Sequence, residues 1–149
     1  MLLLPPNFTK EIIAYCLDGL PNEACGLLAG KQVDNKAILE EDDSSEITLH
    51  WYPTRNDAAS AKVYTVNPLD YMKADRDAES KGMQIIGVFH SHTHTDPYPS
   101  PTDVAQAPDP NWHYVLVSLK YEIAAVRSYR IKEGKISEEI IVSQNSYNY

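Results

Sequence analysis

The sequence predicts an α/β domain built around one β-sheet, and three observations carry that prediction. Apolar residues recur at helical spacing between Phe8 and Leu20, a nearly continuous apolar run passes through "MQIIGVFHSH", and the last third alternates β-rich runs with turn residues. The chain has 149 residues, one domain's worth, enough to bury roughly two-thirds of its unfolded surface in a single core. No internal repeat, low-complexity tract or Gly/Ser linker divides it, so one domain over residues 1–149 is expected.

Taken in order, "MLLL" is an apolar run halted by Pro5 and Pro6, too short for a signal peptide and far short of a bilayer span. Ile12, Ile13, Cys16, Leu17 and Leu20 then form the stripe of an amphipathic helix ending near Pro21. "ACGLLAG" is a short apolar run punctuated by glycine, and "EITLHWYPT" and "KVYTV" are rich in β-branched and aromatic residues; all three predict strands. Asn67 and Pro68 have the character of an N-cap and first helical position, opening a second helix that runs to about Gly82. "MQIIGVFHSH" predicts a strand buried on both faces. "HYVLVSL", "EIAAVRSYRI" and "ISEEIIV" predict three further strands, the last two joined as a hairpin at "KEGK".

A formal charge of -8 and a pI near 5.0 argue against non-specific binding to nucleic acid or to an anionic membrane, because neither polyanion gains from an acidic surface. A cytoplasmic location is expected. Cys16 and Cys25 are too few for a disulfide framework and lack CxxC spacing, so both are expected to be buried thiols.

The chemistry concentrates in "HSHTHTDPYPSPTD", which starts at the end of the buried strand. Side chains alternate along a strand, so His90 and His92 share a face about 6 to 7 Å apart along the backbone. Ser100, Pro101 and Asp103 form an N-cap, a first-position proline and a first-turn carboxylate, which opens a short helix stopped by Pro108. Two imidazoles and one carboxylate are the set that leaves Zn²⁺ a fourth position for water, whose pKa falls to about 7. Taken singly, Ser100 and Asp103 also read as an ordinary helix start, and the histidines as a chance pair. Their convergence at the C-terminal end of a dry strand, where open α/β sheets place their sites, favours the metal.

His90, Ser91, His92, the spacer through Pro99, Ser100 and Asp103 match H-[ST]-H-x7-S-x2-D. The segment thus resembles the JAMM (JAB1/MPN/Mov34) metalloprotease domain. "PNEACGLLAG" resembles the part of bacterial members that supplies a catalytic glutamate, and "HYVLVS" with "RSYRI" resembles the bacterial CysO-cysteine peptidase type, whereas Lys31 to Ser60 matches much less well. The resemblance implies a curved mixed sheet flanked by helices, of the cytidine-deaminase-like kind. It implies one zinc per chain on His90, His92 and Asp103, Glu23 as general base and acid, and Ser100 as oxyanion donor. A partner is implied too: a ubiquitin-like sulfur carrier ending in Gly-Gly, from which cysteine is released for cysteine biosynthesis. Each role is chemically sound, since a carboxylate beside activated water can pass its proton to the departing amine, and a hydroxyl at a helix N-terminus suits an oxyanion.

Other readings remain at this stage. Thr93 stands where many relatives have proline, and His94 lies on the same strand parity as His90 and His92, so a three-histidine site with Asp103 only a cap is conceivable. Asp96 reads as a turn residue before Pro97, His50 and His113 as structural, and Asn56 either as a turn residue or as a backbone clamp near substrate. A deubiquitinase-like isopeptidase on another ubiquitin-like conjugate, a cysteine hydrolase using Cys25, and a non-catalytic scaffold of the same fold are the alternative functions.

Overall fold

The computed structural model of the chain describes residues 1–33 and 45–143. Its elements are β1 (Leu2–Leu3), α1 (Pro6–Asp18), β2 (Cys25–Gln32), β3 (Glu46–Thr54), α2 (Pro68–Ser80), β4 (Gln84–His92), α3 (Pro101–Ala105), β5 (His113–Ser118), β6 (Ala125–Lys132), β7 (Lys135–Glu139) and β8 (Ile141–Val142). The strands form one mixed sheet in the order β7-β6-β5-β4-β2-β3-β1-β8. β4 runs parallel to β5, and β1 parallel to β3 and β8; the other pairs are antiparallel. The two edges, β7 and β8, are consecutive in the chain with only Ile140 between them, so the sheet curls until it is nearly closed.

Each face has its own core. On one face Ile12 and Cys16 of α1 pack with Leu28, Ile86, Phe89, Val115 and Val117; on the other, Ala74 and Ala78 of α2 pack with Leu27, Ala29, Val88, Tyr114 and Leu116. An extra residue opposite the Leu28/Ala29 step, Ile86, makes a β-bulge in β4 that resets the alternation. Ile85 and Val88 therefore share the α2 face, and His90 and His92 follow on that face. β4 is central and buried from Ile85 to His92, as its apolar run predicts. Gly26 makes room for it: a Cβ there would stand 2.4 Å from the Phe89 ring and 2.5 Å from the Tyr52 carbonyl oxygen.

The helices begin where their caps indicate. Asn67 Oδ1 accepts from the Asp70 N–H, and Pro68 occupies the first turn. The β6–β7 hairpin turns on Glu133 and Gly134, both at positive φ (51° and 75°), the geometry of a two-residue turn that follows strand twist.

Three expectations are corrected, and one short apolar run gains a structural role. "KVYTV" is not a strand; only Val66 bridges, to Asn56, because the Asn56 side chain takes the Val63 carbonyl and the Thr65 N–H that a ladder would need. "ISEEIIV" is two strands broken at Ile140, since the chain crosses from one sheet edge to the other. "MLLL" contributes β1, which pairs with β3 and β8. In α1 Ile12 and Cys16 are buried and Ile13 packs beside them, whereas Leu17 and, just past the helix, Leu20 are about half exposed. Among the described residues no helix is long and apolar enough to cross a membrane.

Candidate metal centre and active site

β4 and α3 bring three predicted ligands together. His90 Nε2 and His92 Nε2 lie 3.2 Å apart, and Asp103 Oδ2 is 3.2 Å from the first and 3.0 Å from the second. All three residues are buried. Ligand arms of about 2.0–2.1 Å at the tetrahedral angle place donor atoms about 3.3 Å apart, so this triangle fits a zinc-sized ion with one face open. His94 is exposed, its Nδ1 paired with Thr93 Oγ1, and it is not part of the group. Chain direction explains why: strand parity ends at His92, and His94 already lies in a bend.

Asp103 is carried to the histidines by a capping box. Ser100 Oγ accepts from the Asp103 N–H at 3.1 Å, and the Ser100 N–H donates to Asp103 Oδ2 at 2.8 Å. One carboxylate oxygen thus serves both the helix start and the histidine pair, and the two readings of Asp103 coexist. Burial opposes its charge, but hydrogen bonds from His90, His92 and the Ser100 N–H outweigh burial and hold the carboxyl well below the usual range. Burial depresses the His90 pKa; at His92 burial is outweighed by bonds to Asp103 and to the Asp96 carbonyl, and the pKa rises.

The rings are steadied differently. His92 Nδ1 donates to the Asp96 carbonyl at 2.8 Å, and in the neutral imidazole this leaves the Nε2 lone pair, rather than an N–H, facing the group. His90 is stacked under Tyr64, with ring centroids 4.1 Å apart and planes 20° apart. Nothing local marks Tyr64: it sits in a run of strand composition, and no spacing rule links it to His90.

Glu23 lies 4 % exposed in the turn before β2, and its Oε2 is buried with no hydrogen-bond partner. Burial chiefly, with the Asp103 charge adding and His92 opposing, pushes its pKa up to about 7, the value suited to exchanging protons near neutrality. Backbone bonds fix it: its N–H donates to the Ser60 carbonyl at 2.8 Å, and its carbonyl accepts from Asn56 Nδ2 at 2.9 Å. Next to it, Ala24 is locked to β4 through Ser91, whose Oγ accepts the Ala24 N–H and whose N–H donates to the Ala24 carbonyl. Ser91, between His90 and His92 and facing the opposite way, therefore helps seat Glu23 near His92 and Asp103.

Asn56 uses its whole side-chain amide within the chain, Nδ2 to Glu23 and Val63 carbonyls and Oδ1 from the Ala58 and Thr65 N–H groups. It is a clamp on the 57–65 segment and on Glu23. Thr93 adds a further tie, donating from Oγ1 to the Ala61 carbonyl at 3.1 Å, which a proline at that position would lack. The predicted structural histidines stand apart from the group. His113 is fully buried between Glu46 and Glu139, and His50 meets the Tyr52 ring edge-on. Cys16 and Cys25 are both buried, and burial pushes the Cys25 thiol up to about 11, so it is poorly suited to attack.

Residues 5–132 match the family described as prokaryotic homologs of the JAB domain. The chain belongs to that family. Its similarity to named JAB-type enzymes runs over most of its length: 34 % identity to the CysO-cysteine peptidase of Mycobacterium tuberculosis, over 93 % of this chain and 88 % of the relative. A desampylase of Haloferax volcanii is 33 % identical over 78 % of this chain and 80 % of its own. A probable TtuB-protein conjugate cleaving protease of Thermus thermophilus is 26 % identical over 91 % and 79 %. Among solved structures, a protein of Desulfitobacterium hafniense superposes with a TM-score of 0.85 at 29 % identity, covering 98 % of this chain and 94 % of the other. A JAB1/MPN domain protein of Archaeoglobus fulgidus shares the fold, with a TM-score of 0.55 at 19 % identity over 96 % and 100 %. The nearly closed mixed sheet is thus a JAB1/MPN fold, and the relatives' names are those of peptidases.

Proposed function

We propose that this JAB domain is a zinc-dependent peptidase that hydrolyses the amide bond after the C-terminal Gly-Gly of a ubiquitin-like sulfur carrier and releases cysteine. The observation that carries the hydrolytic reading is the pairing of the open His90, His92 and Asp103 triangle with a buried Glu23 whose Oε2 has no partner in the chain. A zinc ion held by those three residues would supply Lewis acidity to the scissile carbonyl and to water. Glu23 takes a proton from the attacking water and passes it to the amine nitrogen; a C–O bond forms, the C–N bond breaks, and a carboxylate and a free amine leave. Ser100 keeps its hydroxyl proton to offer to the oxyanion, because Oγ itself accepts from the Asp103 N–H.

Substrate class follows from the relatives' names and from the surroundings of the group. Tyr64, stacked on His90, also walls a cleft of about 610 Å³ lined by Leu27, Val66, Val88, Tyr71 and Trp112. β4 has β2 on one side and β5 on the other, so no free strand edge adjoins the ligands, and an extended tail reaches them through this cleft instead. An apolar, extended carrier tail ending in two small glycines fits such an approach. The test is mass spectrometry of a purified carrier-Gly-Gly-cysteine conjugate incubated with zinc-loaded enzyme, with and without chelator. Chelator-sensitive release of cysteine is the expected result. An intact conjugate beside cleavage of a lysine-linked one would transfer the reading to another ubiquitin-like conjugate. Loss of activity to iodoacetamide but not to chelator would move the chemistry to Cys25.

A further inference from the structure

We propose that Tyr121, acting through Asp96, is a positioning residue that holds the His92 imidazole in its metal-binding orientation; this rests on the metal reading above. The link from Asp96 to His92 is made by backbone. The Asp96 carbonyl accepts from His92 Nδ1 at 2.8 Å and from the Tyr98 N–H at 2.8 Å, so its direction decides where the imidazole points. Asp96 precedes Pro97, which confines it to extended conformations, and Pro99 stiffens the next step. The prolines do not by themselves anchor the loop to the sheet.

That anchoring comes from the β5–β6 side. Tyr121 Oη donates to Asp96 Oδ1 at 2.8 Å, and Lys120 Nζ lies 3.5 Å from the same oxygen and 5.3 Å from the Tyr121 ring centroid. On either side the neighbouring carbonyls are also taken: Ser118 Oγ donates to the Thr95 carbonyl at 2.6 Å, and Tyr129 Oη donates to that of Pro97. Three consecutive carbonyls are therefore fixed, the outer two by β5 and β6 and the central one by the ligand itself. The central residue is also held by its own side chain, with Lys120 at longer range and chiefly through the shorter Tyr121–Asp96 bond. Both partners are more than half exposed, so the bond adds little to folding and its main effect falls on the carbonyl it steadies.

The experiment measures Zn²⁺ affinity by competition with a chromophoric chelator, alongside kcat and KM, for the wild type and four variants. Tyr121→Phe and Asp96→Ala are each expected to weaken zinc about three- to tenfold, less than the 10- to 100-fold of a group bonded directly to a ligand. The double variant should lose no more than the weaker-binding single, since Asp96→Ala already removes the Tyr121 bond along with the Lys120 contact. Asp96→Asn, which still offers Oδ1 to Tyr121, should stay within about twofold of wild type, and KM should hold while kcat falls with zinc occupancy. Unchanged zinc affinity in Tyr121→Phe, or losses that add in the double variant, overturns the proposal. So does a lowered melting temperature with zinc affinity intact, the mark of a merely structural bond. Failure of the wild type to bind zinc overturns the metal reading itself.

Discussion

At Glu23 an amide in place of the carboxyl keeps the shape and removes the proposed base. Glu23→Gln is expected to retain zinc and the fold while turnover drops by about 10²- to 10⁴-fold. Near-normal turnover would take Glu23 out of the mechanism. Replacing His90, His92 or Asp103 by Ala should strip the metal by elemental analysis, whereas His94→Ala should leave about one zinc per chain. Zinc lost from the His94 variant but kept by the Asp103 variant would reverse the ligand set. The motif spacing made the convergence of His90, His92 and Asp103 legible, because strand alternation and a capped helix start are local rules. Tyr64 and Ser91 were not legible as partners, since each acts across the fold; the Asp96 carbonyl is four residues from His92, but loop conformation, which no spacing rule specifies, turns it to the ring.

α3 is only five residues long, and the capping box that starts it also orients Asp103. Ser100→Ala is therefore expected to cost about 1 kcal/mol of stability from the lost cap. It should also reduce turnover about tenfold to a thousandfold, if the hydroxyl meets the oxyanion. Thermal unfolding and kcat measured on the same preparation separate the two effects; stability lost with full activity leaves Ser100 as a cap alone. The same scale shows where local propensity fails. "KVYTV" has the composition of a strand, yet Asn56 occupies its backbone groups and turns it into a wall of the cleft. α2, by contrast, starts at the predicted Asn67 because its cap is made within four residues.

Across the whole molecule, the curl of the sheet is spanned by a buried ionic group. His113 on β5 lies 3.0 Å from Glu46 Oε1 of β3 and 2.5 Å from Glu139 Oε1 of β7; Ser128 and Arg130 of β6 and the Met1 amino group also reach Glu139. Burial opposes the Glu139 charge, but His113, Ser128 and Arg130 outweigh it and bring the pKa down to about 2. A carboxyl depressed in the folded state stabilises fully above its unfolded value of 4.5 and loses that contribution as pH falls toward 2. The contribution is on the order of 3 kcal/mol. Urea unfolding between pH 6 and about 2.5 should show this loss in the wild type and a flatter acid limb in Glu139→Gln. Equal slopes in the two proteins would remove Glu139 as the acid-sensitive group.

By itself the sequence determined the α/β class, the buried central strand, both long helices and the grouping of His90, His92 and Asp103, because periodicity, caps and short spacings are encoded by neighbours in the chain. Tertiary structure decided the rest. Strand order, the bulge at Ile86 that turns His90 and His92 toward the α2 face, and the seating of Glu23 by Ser91, Asn56 and Ser60 all depend on pairings between distant segments. A lone glutamate after a helix is ordinarily solvated surface; closure of β4, β2 and the 57–65 segment around Glu23 leaves its carboxyl dry near His92 and Asp103, and its pKa rises because water is gone.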